Sequence, residues 1–132
     1  MSPQVDFTEV KEIEEFKPLP KGKYHCRIAD VEELKPTKNG DPMWRIRLLV
    51  VGGKHDGRAI YDNLVFSEAA LPRLKHVCSS LGLDVSGKAE VTPDLLEGRE
   101  VVVNVTLRRY EDAGGQVRRA NCVPFAGYEP LT

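Results

Sequence analysis

Apolar and polar residues alternate along four stretches of this chain, one of them interrupted, and recur at helical spacing along one. From Tyr24 the period is two, with Tyr24, Cys26 and Ile28 on one side and His25 and Arg27 on the other, which predicts a half-buried strand. A second run sets Trp44, Ile46, Leu48 and Val50 against Arg45, Arg47, Leu49 and Val51. A third, Arg58 to Phe66, carries Ile60, Tyr61, Leu64 and Val65, but Asp62-Asn63 interrupts its alternation and leaves its facing open. The fourth is the clearest: Val101, Val103, Val105 and Leu107 face away from Val102, Asn104, Thr106, Arg108 and Tyr110. Glu111 to Gly115 then turns the chain into a fifth strand, Gln116 to Phe125, as a hairpin.

Between these runs lie strong breakers. Lys35-Pro36-Thr37-Lys38-Asn39-Gly40-Asp41-Pro42 is a long loop, and Gly52 to Gly57 a tight turn. Leu71, Leu74, Cys78 and Leu81 recur at helical offsets after Ser67, a suitable N-cap, and before Gly82, a suitable residue just past a helix end. Pro72 is tolerated only in the first turn of that helix, so its start is free to slip by a few residues. Thr92-Pro93 and Gly98 bracket a further short helical turn. The order β-β-β-α-β-β predicts an all-β fold with one main helix, a five-stranded OB-type Greek-key barrel with the helix plugging one end. The competing architecture is an open sheet with one helix on a face.

Residues 1–19 carry two lysines against five acids, a net charge of −3, and end in Lys17-Pro18-Leu19-Pro20. We read them as an acidic N-terminal arm, with Phe7, Val10, Ile13 and Phe16 also fitting a short helix, and residues 20–132 as the OB domain. That second segment has net charge +2, so the −1 of the whole chain conceals an uneven distribution.

At 132 residues, 41% hydrophobic and 30% charged, the chain suits one globular domain able to fold without a metal or disulfide staple. Three cysteines without close spacing and an N-terminus lacking a signal peptide point to a reducing cytoplasm. No apolar run reaches the ~20 residues that span a bilayer, so no membrane association is expected. His25 and Cys26 are adjacent on a strand and diverge, as do His76 and Cys78 on the helix, so no metal site is expected and no cofactor is implied. Gly82 to Lys88 has phosphate-loop spacing, but Ala89 replaces the metal-holding hydroxyl and the segment follows a helix. Asp56 and Asp62 lack the third carboxylate of a nuclease site, and the chain is read as a non-enzyme.

An OB barrel binds ligands on strands two and three and on the loops joining strands one to two and four to five. Those places hold Lys35 and Lys38, then Arg45 and Arg47, then Arg58 and Tyr61, then Arg108, Arg109, Tyr110, Arg118 and Arg119. Single strands need cations for phosphates and aromatic faces for bases, and Trp44, Tyr61 and Tyr110 are the stacking candidates. Trp44 shares a face with Ile46 and Leu48 and fits core packing equally well.

Residues 16–128 also resemble a phage and prophage family catalogued as a domain of unknown function. The resemblance runs from Phe16-Lys17-Pro18-Leu19-Pro20-Lys21-Gly22-Lys23-Tyr24 through Gly57-Arg58-Ala59-Ile60-Tyr61-Asp62-Asn63-Leu64 to Gly98-Arg99-Glu100-Val101-Val102-Val103. That family is similar to single-stranded DNA-binding proteins and tends to sit among replication and recombination functions. The resemblance therefore implies largely sequence-independent binding of single-stranded DNA, with partner proteins of replication or recombination engaging the acidic arm and a homo-oligomer allowed. The first rival is an OB protein-interaction module of such a complex that binds no DNA itself, and the second a sugar- or small-ligand-binding barrel.

Overall fold

The computed structural model describes residues 2–6, 17–88 and 90–131. The expected arm falls mainly on residues 7–16, outside the described residues. The elements are β1 (Gly22–Glu33), β2 (Met43–Val50), β3 (Ala59–Val65), α1 (Leu71–Ser80), α2 (Pro93–Leu96), β4 (Glu100–Glu111), β5 (Val117–Cys122) and β6 (Tyr128–Glu129). All described ladders are antiparallel, in the order β3-β2-β1-β4-β5, with β6 added to β4. β3 and β5, at the ends of this path, come within 8 Å of each other between Cα atoms but share no ladder. The fold is thus mostly β, a strongly curled antiparallel sheet with two helices.

The curl originates in β1. Its first half pairs with β4 from Gly22 to Arg27, and its second half pairs with β2 from Cys26 to Glu33. Between Ile28 and Asp30 the register slips, and such a bulge bends a strand and increases its twist. At that point Ile28 exchanges hydrogen bonds with the chain ahead of β4, donating to the Arg99 carbonyl (2.9 Å) and accepting from the Gly98 amide (2.8 Å). A spacing of two residues marks a strand but not a change of partner, so the pattern located β1 without its bend.

Alternation fills the interior. Ile28, Ile46, Leu48, Ile60, Leu64, Val101, Val103 and Val105 are buried, with Trp44 beside them. β3 resolves its ambiguity by alternating after all: Ile60, Asp62 and Leu64 turn inward while Tyr61 and Asn63 are exposed. Asp62 is accommodated because it is fully engaged. Its Oδ2 accepts from the Tyr128 hydroxyl at 2.6 Å and from Arg73 Nη2 at 2.7 Å, tying β3 to α1 and β6. His76 Nε2 lies 2.8 Å from the Tyr128 carbonyl, and because a carbonyl only accepts, that nitrogen carries the proton. Burial, followed by the Asp62 charge, pushes the Tyr128 phenol well above its usual value.

α1 starts three residues later than Ser67 would place it. Pro72 sits in its first turn and Ala70 is the N-cap, without a side-chain bond, while the Ser67 hydroxyl accepts from the Ala70 amide at 3.2 Å in the turn just before. β5 ends at Cys122, because Pro124 has no amide to donate. The chain then returns through Gly127 as β6, a strand too short for any periodicity to announce. A Cβ on Gly127 would lie 2.8 Å from the Val123 side chain, so the close return needs glycine there. Among the described residues no helix is long and apolar enough to cross a membrane.

Candidate nucleic-acid interface

Two cationic regions emerge from the candidate residues, and their electrostatic states differ. The first is the outward face of β2 and β3. Register places Asp30, Arg47 and Tyr61 in one row across three strands, and Glu32, Arg45 and Asn63 in the next. Arg47 is held by Asp30, with Nη2 2.6 Å and Nε 2.8 Å from the same carboxylate oxygen. Arg45 stands 4.0 Å from Glu32, a looser pairing. Two cations facing two carboxylates leave these rows without net charge. Tyr61 is 57% exposed and offers an aromatic surface.

The second region is the β4–β5 hairpin. Beyond Val105, β4 has left β1 and pairs with β5 alone, from Thr106↔Cys122 to Glu111↔Val117. Asp112 organises its turn: Oδ1 accepts from the amides of Gly114 (2.9 Å) and Gln116 (3.0 Å), and Oδ2 accepts from Arg118 Nε (2.7 Å). The Arg118 hydrogen bond, then those from the backbone, hold this carboxyl below the usual carboxylate range. Gly115 supplies the positive φ, 79°, that closes the turn. Arg108, Arg109 and Arg119 are exposed and make no hydrogen bond or ion pair with another described residue. Arg109 lies directly opposite Arg119 in the ladder, and Tyr110, 42% exposed, opposite Arg118.

Beside the hairpin runs a groove of about 630 Å³, lined on one side by Lys17 to Pro20 and on the other by Leu107, Tyr110, Val117, Arg118 and Arg119. The segment is pinned there. Leu19 is completely buried, and the Asn121 side chain grips its backbone twice, its oxygen accepting from the Leu19 amide and its nitrogen donating to the Leu19 carbonyl, both at 2.9 Å. Arg58, half-buried just ahead of β3, donates to the Lys17 carbonyl. Thus Arg58 supports the groove wall.

Lys35 and Lys38 are exposed in the β1–β2 loop, on a turn in which Thr37 and Asp41 bond each other, and neither lysine has a partner among the described residues. Trp44 takes the core side of its two readings. It is 8% exposed, with its ring centroid 4.5 Å from that of Phe66, and this leaves no broad face for a base. Sequence reasoning missed Pro18, Leu19, Leu107, Val117 and Asn121. The flanking prolines around Leu19 were the available signal, since they hold the chain extended and present one apolar side chain.

A second, apolar groove of about 940 Å³ runs along α1, lined among others by Phe66, Leu71, Leu74, Leu83, Val91 and Leu95.

Residues 4–118 match the family described as "Protein of unknown function (DUF669)", and the chain belongs to that family. Among curated proteins none matches the chain.

Proposed function

We propose that this protein binds single-stranded DNA with little sequence preference, as an OB-type barrel acting in phage or prophage replication or recombination, and that it is not an enzyme. The observation that carries the reading is the β4–β5 hairpin, where Arg108, Arg109 and Arg119 have no acidic partner among the described residues and stand beside exposed Tyr110. Unneutralised cations next to an aromatic face suit a flexible polyanion with unpaired bases. The strand order β3-β2-β1-β4-β5 supports the barrel: it is the order of a five-stranded OB barrel parted between its third and fifth strands. The test is a polarisation titration with a ~30-nucleotide single strand and its duplex at several salt concentrations, expecting single-strand preference and affinity that falls steeply with salt. Affinity flat in salt, or equal for duplex, overturns the proposal.

A second reading is favoured by the apolar groove along α1. It makes the protein an interaction module of a replication or recombination complex, and predicts no oligonucleotide binding even at low salt.

A further inference from the structure

Placing Arg109 directly opposite Arg119 carries an energetic cost. Residues facing each other across an antiparallel pair have Cβ atoms ~4.5–5.5 Å apart, and like charges there are destabilising. The carboxylate of the turn, Asp112, is committed to Arg118 and two amides, and no described acid approaches the two guanidinium groups within ion-pair distance. Such an arrangement is relieved by an anion between the two. Arg119 also lines the groove beside the hairpin, together with Leu107, Tyr110, Val117 and Arg118, and Leu107, 39% exposed, shares the face of the Arg109–Arg119 pair in the adjoining row. Exposed apolar surface adjoining a cation pair that has no acidic partner among the described residues matches the two ends of one chemical unit, a planar base and its phosphate.

We propose that this groove is a subsite for a single nucleotide of the strand, the base lying between Leu107 and the wall of Pro18 to Pro20 and the phosphate held between Arg109 and Arg119. The inference rests on the strand-binding reading and deepens it, naming where one base leaves the stack. At about 630 Å³ the groove falls within the ~300–1,000 Å³ of small-ligand sites. Its far wall is rigid because Asn121 clamps Leu19, so the space exists before a ligand arrives. Of the two other hairpin arginines, Arg118 is held by Asp112, and Arg108 lies on the opposite side of β4 by strand alternation and stays available to a neighbouring phosphate.

Thermal melting of the full chain at low salt, with thymidine monophosphate, inorganic phosphate or thymidine added, tests this. The monophosphate should raise Tm by about 5 °C at tenfold excess over its dissociation constant, and clearly more than either fragment alone. Arg119→Gln, and separately Arg109→Gln, should abolish that response while leaving Tm of the free protein unchanged or raised at low salt, a gain that vanishes in high salt. An equal shift with inorganic phosphate reduces the site to an anion clamp and overturns the proposal. So does a fall in Tm for both variants, which denies the repulsion. A ~30-nucleotide strand that binds in parallel while the monophosphate does nothing overturns the subsite and leaves strand binding standing. Failure of both removes the strand reading itself.

Discussion

The outward rows of β2–β3 and the tip of the β4–β5 hairpin have similar sequences, each rich in arginine with a tyrosine nearby, yet they reach opposite electrostatic states. On β2–β3 the neighbouring strand β1 brings Asp30 and Glu32 into the same rows as Arg47 and Arg45. Exposed ion pairs of this kind add little stability, ~0–1 kcal/mol each, but they cancel the field a distant phosphate would feel. The hairpin has outrun β1, so among the described residues no third strand supplies acids, and of its own two carboxylates Asp112 is spent on the turn while Glu111 forms no ion pair with a described arginine. The lesson is that a cluster of arginines in a sequence measures the charge present, whereas the strand next to it decides how much of that charge is free.

The largest expected effect concerns what holds the hairpin groove together. Leu19→Ala should lower stability by about 2–5 kcal/mol, because a completely buried leucine leaves a cavity, and urea unfolding measures it directly. Residues 17–20 would then lose their anchor, so the groove should open while the β2–β3 rows remain intact. A loss below 1 kcal/mol would mean that the segment is not part of the core.

Next comes charge reversal, which compares the regions on DNA. Arg108→Glu with Arg119→Glu should weaken binding of any single strand by about 100-fold at low salt, whereas Arg45→Glu with Arg47→Glu should cost only about 3- to 10-fold. Circular dichroism must show both proteins folded. If the β2–β3 pair proves the more damaging, the comparison is inverted and DNA runs over that face.

A gentler change sharpens the same contrast. Asp30→Asn removes the carboxylate holding Arg47 and should tighten binding by about threefold through one released cation, if the β2–β3 face lies on the DNA path. No gain would confine the interface to the hairpin.

The smallest effect is on pH. The Asp112 carboxyl is held below the usual carboxylate range, so its contribution to hairpin order is complete above that range and lost only as pH falls through its depressed folded value. Nuclear magnetic resonance should therefore show the Gly114 and Gln116 amides keeping their turn-bound shifts to a lower pH than an ordinary aspartate allows, and losing them in Asp112→Asn. Amides that move with ordinary aspartates would show the turn to be held otherwise.

Much of the fold was legible because a strand with one face in the core must alternate, and four runs of this chain do so. Even β3, with Asp62-Asn63 in its middle, kept its period, and the polar residue that blurred it turned out to be an inward carboxylate with two donors waiting on α1 and β6. Neither donor is near in sequence, so nothing local announced them. Of the stacking candidates, Tyr61 and Tyr110 have polar strand neighbours and are exposed. Trp44 was left between core and surface, and the contact with Phe66, 22 residues away, decided it.

What the amino-acid order determined by itself is the set of longer elements, without β6, their apolar faces and the grouping of arginines, since each follows from spacing within a few residues. Tertiary structure alone decided which arginines stay unneutralised, that β1 bends to serve two partners, and that Leu19 and Asn121 build a groove wall from segments about a hundred residues apart. Those outcomes depend on which strand lies beside which, and a pairing between distant residues is written in no local period.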